Sequence, residues 1–321
     1  MKEHSSITIF WWRLALHIAL TAILALSIHV VMLDVLAIPH PDITHVSTRA
    51  IFLNDALSVT ATFVIYRLAP LFAARPFFLR CLLLTAVYAM LKEALFRNFI
   101  MDGVVSHAWR YSLVENLAQP VIYLIICSMI VLLASRLRST AQIIAAGIAV
   151  TAVTSLLIDP LISGAFGKLV ASIEYLDTGN IYNPPYGWQV NVPSYITFLE
   201  PVLASFFIAA VVWDKLSPAP TRRIVQFVLL VMAMKGSILT TLIYSFYQGR
   251  SLPAAFLSES QFGIEMLVMT LLTAVGWQLS HRRSKLATLR EYFDKSVSKP
   301  ICISSSCYHV LPLHRQKGET R

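Results

Sequence analysis

Charged residues are scarce in this chain for its length. Only 13% of its 321 residues are Asp, Glu, Lys or Arg, and 57% are hydrophobic, whereas soluble domains carry about 25% charged residues. This composition excludes an ordinary soluble domain and indicates an integral membrane protein with several spans. The formal net charge of +9 is then typical of Lys and Arg residues in cytoplasmic loops.

Cysteine is also scarce, and the motifs of familiar chemistry are missing. The four cysteines are too few and too scattered for a disulfide framework. There is no H-E-x-x-H, no G-x-S-x-G and no Walker loop, and no basic stripe is interleaved with aromatic residues. The spacing of Cys302, Cys307, His309 and His314 is too narrow for known zinc sites. We therefore expect no enzyme activity, no cofactor, no metal and no nucleic-acid partner.

The sequence does contain several long apolar runs. A run of about 20 apolar residues suffices for a spanning helix, and runs without alternation predict helices rather than a barrel. The predicted fold class is all-α, a polytopic integral membrane helix bundle with eight transmembrane helices. The eight predicted spans are residues 14–36, 51–72, 77–96, 113–134, 141–165, 194–213, 224–246 and 257–279.

The basic residues predict the orientation of these spans. They concentrate in alternate connections, such as Arg75 with Arg80 and Arg222 with Arg223, and again after the last span. Because cytoplasmic loops carry the excess of Lys and Arg, both termini are predicted in the cytoplasm. The expected location is the inner (cytoplasmic) membrane, with the lipid bilayer as the first partner. The first apolar run is too long for a cleaved signal peptide, so we interpret it as a membrane helix.

The sequence divides into three predicted segments. Residues 1–280 form the transmembrane bundle, which includes a long outer loop at 166–193. The stretch GNIYNPPYGWQV (179–190) in this loop is interpreted either as a cap over the bundle or as a lid that contacts a ligand. Residues 281–299 are predicted to form a cytoplasmic amphipathic juxtamembrane helix, because apolar and basic residues alternate there at helical spacing. Residues 300–321 are predicted to be a short disordered tail.

A single lysine lies near the centre of a predicted span. In VMAMKGSIL (231–239) the only charged residue is Lys235. A charge in the membrane costs about 2.5–3.5 kcal/mol on insertion scales, and a buried ammonium needs a carboxylate or several acceptors. Glu93 and Arg97 are four residues apart and are predicted to pair on one helix face. The remaining candidate counter-ions of Lys235 are Asp159, Glu200 and Glu265.

Two of these acids, Asp159 and Glu200, directly precede a proline. Proline frees a backbone carbonyl one turn earlier, and an acid beside such a carbonyl can form a cation or proton site. The alternative is that these prolines only kink their helices and that the two acids lie near the lipid headgroups. For Lys235, a structural ion pair and a ligand-linked or proton-linked role both stay open. His29 is expected to be hydrogen-bonded inside the bundle, with proton sensing as its alternative role.

The layout of the chain resembles bacterial membrane-associated sensor modules. The shared features, over residues 1–295, are eight spans with both ends inside, a long outer loop after the fifth span and a charged helix after the last. Such modules precede a diguanylate cyclase or kinase domain. The resemblance implies a sensor that binds a small ligand, a proton or a lipid from the outer face. It would signal through residues 281–299 to a cytoplasmic partner or within a homo-oligomer.

A small secondary transporter is the alternative function. It would be coupled to protons or ions and would use the acid–proline positions together with Lys235. The ionisable residues concentrate in the predicted outer halves of the spans. A transporter needs access from both sides, so this distribution favours the sensor.

Overall fold

The computed structural model describes residues 7–180 and 186–283, and α-helices dominate them. The first seven helices of this part are α1 (Trp11–Val30), α2 (Thr48–Leu68), α3 (Pro70–Ala73), α4 (Phe77–Leu91), α5 (Arg97–Ser106), α6 (Trp109–Glu115) and α7 (Ala118–Ala134). The next seven are α8 (Thr140–Val153), α9 (Asp159–Ser172), α10 (Trp188–Thr197), α11 (Leu199–Val212), α12 (Pro220–Lys235), α13 (Ser237–Ile243) and α14 (Leu252–Ser280).

Short irregular elements extend several of these helices. Two π-helical turns, Val31–Val35 and Thr154–Ile158, follow α1 and α8. Three 3₁₀ turns lie at Glu174–Leu176, Trp213–Lys215 and Tyr244–Tyr247. Such π-turns are frequent at functional sites, and the second one ends directly before the Asp159–Pro160 pair.

Two three-residue strands form a small antiparallel ladder. They are β1 (Ile7–Ile9) and β2 (His281–Arg283), with Thr8 opposite Arg282. The first three residues of the predicted juxtamembrane helix 281–299 are thus extended. The rest of that predicted helix and the predicted tail 300–321 lie outside the described residues.

In the described ranges, six helical segments are long and apolar enough to cross a membrane. They are Trp11–Val35, Thr48–Leu68, Trp109–Ala134, Thr140–Ser172, Trp188–Lys215 and Leu252–Ser280. The prediction of a helical bundle with several apolar spans is therefore confirmed. The other two predicted spans, 77–96 and 224–246, are also helical but are short or bent. Helix α4 has only 15 residues, and α12 and α13 meet at a bend of 75°.

The long predicted loop at 166–193 is partly helical. Helix α9 continues to Ser172 and α10 begins at Trp188, so the connection between them is 173–187. Of this connection, residues 181–185 lie outside the described part of the chain.

The interior of the bundle is tightly packed. Helix α2 lies against α8 and α12, and α4 lies against α7 and α11. At Gly147 of α8, an added Cβ would come within 2.1 Å of the Thr60 Oγ1 atom of α2. Glycine therefore permits the close approach of these two helices.

The outer surface of the bundle is also apolar. Helix α9 has no buried residue, and Leu161 within it is 69% exposed. Leu156 and Leu157, in the preceding π-turn, are 74% and 64% exposed. An apolar exterior of this kind would be unfavourable in water, because soluble proteins rarely expose large contiguous apolar patches.

Candidate functional site

Two helix breaks meet inside the bundle. Helix α4 ends at Leu91, and Glu93 adopts a φ of +63° before α5 begins at Arg97. Helix α12 ends at Lys235, and Gly236 with a φ of +89° begins the bend towards α13. Positive φ is unusual for a residue other than glycine, so the backbone at Glu93 is held in place by its surroundings.

The two breaks are joined by crossed contacts. The Lys92 Nζ atom donates a hydrogen bond to the main-chain oxygen of Lys235 at 2.8 Å. In the opposite direction, the Lys235 Nζ atom donates to the Glu93 Oε1 atom and forms an ion pair with it. Adjacent residues of one break therefore hold both the main chain and the side chain of Lys235.

Glu93 forms ion pairs with two cations at once. Its Oε2 atom lies 2.7 Å from the Arg97 Nε atom, which confirms the predicted Glu93–Arg97 pair, although the pair spans a helix break rather than a helix face. Its Oε1 atom pairs with Lys235.

The prediction that Lys235 pairs with Asp159, Glu200 or Glu265 is wrong. It assumed that Arg97 would satisfy Glu93 completely. A carboxylate has two acceptor oxygens, and Glu93 gives one to each cation.

Arg97 is fixed by further acceptors from α10. Its Nη1 atom donates to the Ser194 main-chain oxygen at 2.7 Å and to the Thr197 Oγ1 atom at 3.0 Å. Its guanidinium group also lies over the Phe198 ring, 5.1 Å from the ring centroid. The positive charge of Arg97 is therefore already well satisfied by the protein.

Glu200 accepts hydrogen bonds from the backbone of the first break. Its Oε1 atom accepts from the Leu95 N–H at 2.9 Å, and its Oε2 atom accepts from the Phe96 and Arg97 N–H groups at 2.9 and 2.6 Å. These N–H groups lie at the start of α5, where a helix leaves its first donors unpaired. Glu200 is only 6% exposed and anchors the break, and its predicted role as a ligand group stays a prediction.

Asp159 lies in a separate, smaller cavity. This cavity has a volume of about 160 Å³ and is lined by Asp55 and Lys92 as well as Asp159. The Ser163 hydroxyl donates to the Asp159 Oδ1 atom at 2.7 Å. The small cavity and the joined breaks share Lys92, which lines the former and contacts Lys235 in the latter.

Two larger cavities adjoin the breaks. Cavity A has a volume of about 500 Å³ and cavity B about 430 Å³. Both volumes are in the range of small-molecule sites. The residues that line both cavities are His29, His40, Glu93, Arg97 and Phe262. Tyr186, from the segment predicted as a cap or lid, lines cavity A, and Lys235 lines cavity B.

The side-chain rings of His29, His40 and Phe262 line both cavities and lie close together. The ring centroids of His29 and Phe262 are 4.8 Å apart, those of His29 and His40 are 5.5 Å apart, and those of His40 and Phe262 are 6.0 Å apart. His40 belongs to the connection between α1 and α2, and burial lowers the pKa of its imidazole below the ordinary value. Desolvation therefore favours the neutral ring at this position.

Glu265 accepts no hydrogen bond from the residues that the structure describes. It is 5% exposed and lines cavity B. The His29 Nδ1 atom lies 3.9 Å from its Oε2 atom, which is too far for a hydrogen bond. Among the residues that the structure describes, this buried nitrogen has no hydrogen-bond partner either. Buried polar groups are normally paired, so Glu265 and His29 are candidates for contact with a ligand.

Sequence reasoning missed several of these residues. It did not consider His40, Glu259 or Phe262, although Glu259, Phe262 and Glu265 follow one another at three-residue intervals on α14 and all line cavity B. That spacing places them on one helix face, which was the available signal.

Comparisons with known proteins give no assignment for this chain. No family model, no curated protein and no solved structure matches it. The function must therefore be inferred from the fold and from the site.

Proposed function

We propose that this chain is an integral protein of the cytoplasmic membrane with eight crossings and both termini in the cytoplasm. Six helices have the length and apolar character of spans. The short helix α4 and the broken pair α12–α13 would complete the even number. The apolar outer surface supports insertion, and the basic connections support the orientation.

We infer that its function is to bind a small ligand in cavities A and B from the outer face. The observation that carries this proposal is that the His29 Nδ1 atom and the Glu265 carboxylate, 3.9 Å apart at cavity B, form no hydrogen bond with the described residues. Neighbouring polar groups such as Glu200 and Arg97 have several partners. A ligand would supply the partner that Glu265 and His29 lack.

The position of the proposed binding site on α14 favours a sensor. Glu259, Phe262 and Glu265 belong to α14, an uninterrupted helix of 29 residues. This helix ends at Ser280, directly before the predicted juxtamembrane segment 281–299. A ligand that shifts α14 would therefore act on the segment through which we propose that the protein signals to a partner or within a homo-oligomer.

A transporter is the second candidate, and the joined helix breaks favour it. Broken helices line substrate sites in many secondary transporters, and here the breaks at 92–96 and at Gly236 both border cavity B. In this case the cavity would have to open to both sides of the membrane in turn.

Cysteine labelling tests the orientation of the cavity. In a cysteine-free background, Thr240→Cys places a thiol in cavity B, and Ala219→Cys places one in the connection between α11 and α12. We expect a membrane-impermeant maleimide to label Thr240→Cys in intact spheroplasts and to label the Ala219→Cys control only after permeabilisation. The reversed pattern would place the cavity on the cytoplasmic side and refute binding from the outer face.

The same variants separate the two functions. In inside-out vesicles, a sensor of this kind should protect Thr240→Cys from the impermeant reagent while Ala219→Cys reacts fully. Labelling of Thr240→Cys from both sides would show alternating access, and the transporter would then replace the sensor.

A further inference from the structure

We propose that cavity B binds a small organic cation, a protonated amine, with Glu265 as its counter-ion. This inference rests on the proposed function, because it assigns the chemical class of the ligand to the same cavity.

The charges that line cavity B favour a cation. Three carboxylates, those of Glu93, Glu259 and Glu265, face two cationic side chains, those of Arg97 and Lys235. With these five ionised and the two lining histidines neutral, the lining has one negative charge in excess. A ligand with one positive charge would neutralise it, whereas an anion would add to the repulsion.

The distribution of partners singles out Glu265 among the three acids. Glu93 is paired with both cations. Glu259 accepts a hydrogen bond from the Gln248 Nε2 atom at 2.8 Å. Glu265 is 95% buried and has no hydrogen-bond donor within reach among the described residues. An ammonium group can supply up to three donors and the compensating charge.

The cations of the cavity are poorly placed to hold an anion. Arg97 already donates to Glu93, Ser194 and Thr197, and the Lys235 ammonium contacts Glu93. An anion would have to displace Glu93 from these groups and leave that carboxylate unpaired and buried, which is costly.

The walls next to Glu265 suit a cation with an apolar body. Phe262 is one turn before Glu265 on α14, and the rings of His29 and His40 stand beside Phe262. Aromatic faces attract ammonium groups. Ile43 and Met266 provide apolar lining in the same cavity, and its volume of about 430 Å³ leaves room for a ligand larger than a metal ion.

Three probes of one skeleton test the proposed ligand class. Phenethylamine, 2-phenylethanol and 3-phenylpropionate share a phenylethyl group and carry a positive, a neutral and a negative head. The measurement is the thermal unfolding midpoint of the full-length purified protein in lipid nanodiscs, at constant ionic strength and pH 7.5. We expect a saturable rise in Tm with the amine. The concentration at half-saturation should be at least about tenfold higher for the other two probes, a difference of about 1.4 kcal/mol in binding free energy.

Two variants assign the effect to Glu265. Glu265→Gln preserves the shape and removes the charge, and it should weaken amine binding at least about tenfold. The matched control Asp55→Asn removes an acid that lines the small cavity rather than cavity B, and it should change binding less than about threefold. Phe262→Leu removes the ring and keeps Glu265, and it should also weaken the amine by more than about threefold.

The possible failures can be told apart. If the carboxylate probe binds as tightly as the amine, or if Glu265→Gln binds the amine like the wild type, the cation assignment is refuted. Binding that Phe262→Leu still weakens would then leave cavity B as a ligand site of another class. If no probe raises the Tm at any concentration, the cation assignment is refuted and the proposed ligand-binding function loses its support as well.

Discussion

Replacement by glutamine should change the free energy of unfolding in opposite directions at two buried glutamates. Glu200 accepts three backbone N–H groups, whereas Glu265 accepts no hydrogen bond from the described residues. Changing either to glutamine keeps the volume, removes the negative charge and replaces one acceptor oxygen by an NH₂ donor. The two substitutions therefore differ only in what surrounds the side chain.

The loss at Glu200 can be estimated from its three bonds. Glutamine can keep the two bonds at the Oε2 position, but its NH₂ group must then face the N–H of Leu95. A buried donor left unsatisfied costs about 1–3 kcal/mol, and each remaining bond loses about 1 kcal/mol when its acceptor is no longer charged. We expect Glu200→Gln to lower the free energy of unfolding by about 3–5 kcal/mol.

At Glu265 the same reasoning gives the opposite sign. No hydrogen bond is lost, and the desolvation cost of an unpaired carboxylate, which is several kcal/mol, exceeds the cost of about 1–3 kcal/mol for the unpaired amide donor that replaces it. We expect Glu265→Gln to raise the free energy of unfolding by about 1–2 kcal/mol. Reversible unfolding of the purified protein in mixed micelles, followed by far-UV circular dichroism, measures both changes. A shift in the same direction for the two variants would refute the assigned hydrogen-bond network.

Two further predictions concern the joined breaks. A double-mutant cycle of Lys235→Met with Glu93→Gln should give a coupling of about 1–3 kcal/mol in the same unfolding assay, and additive effects would mean that the two residues do not pair. Gly236→Ala should destabilise the protein by about 1–3 kcal/mol, because φ is +89° there and the new Cβ would lie 2.7 Å from the Asn54 Nδ2 atom. The control Gly167→Ala meets open space within α9 and should be neutral or slightly stabilising. Equal effects of the two glycine substitutions would contradict the assigned conformation.

The helical segments could be predicted from the sequence, but one of the two breaks could not. Apolar runs of sufficient length predict helices because the backbone must satisfy its own hydrogen bonds in lipid. Gly236 marks its break, since glycine favours the left-handed conformation that ends a helix. The segment KEALF at 92–96 contains neither glycine nor proline. Its break depends on Glu200, which is more than 100 residues away in the sequence.

The candidate site was predicted in part. The spacing of Glu93 and Arg97 correctly indicated an ion pair, and the cost of an unpaired buried charge correctly indicated a partner for Lys235. The identity of that partner was wrong, because the sequence does not tell how many cations one carboxylate serves. The role of Glu200 could not be predicted either, because its partners are backbone N–H groups that only the break leaves unpaired.

The crossed contacts at Lys235 restrict the kinds of motion that this region can make. One contact alone would act as a pivot about which α12 could roll. With Lys92 holding its last carbonyl and Glu93 holding its side chain, α12 cannot roll against the first break without breaking both contacts together. A swing of α13 about Gly236, by contrast, would leave both contacts intact. Helix α13 carries Thr240 along one side of cavity B. Such a swing would therefore change the width of the cavity while Lys235 keeps its contacts with Lys92 and Glu93.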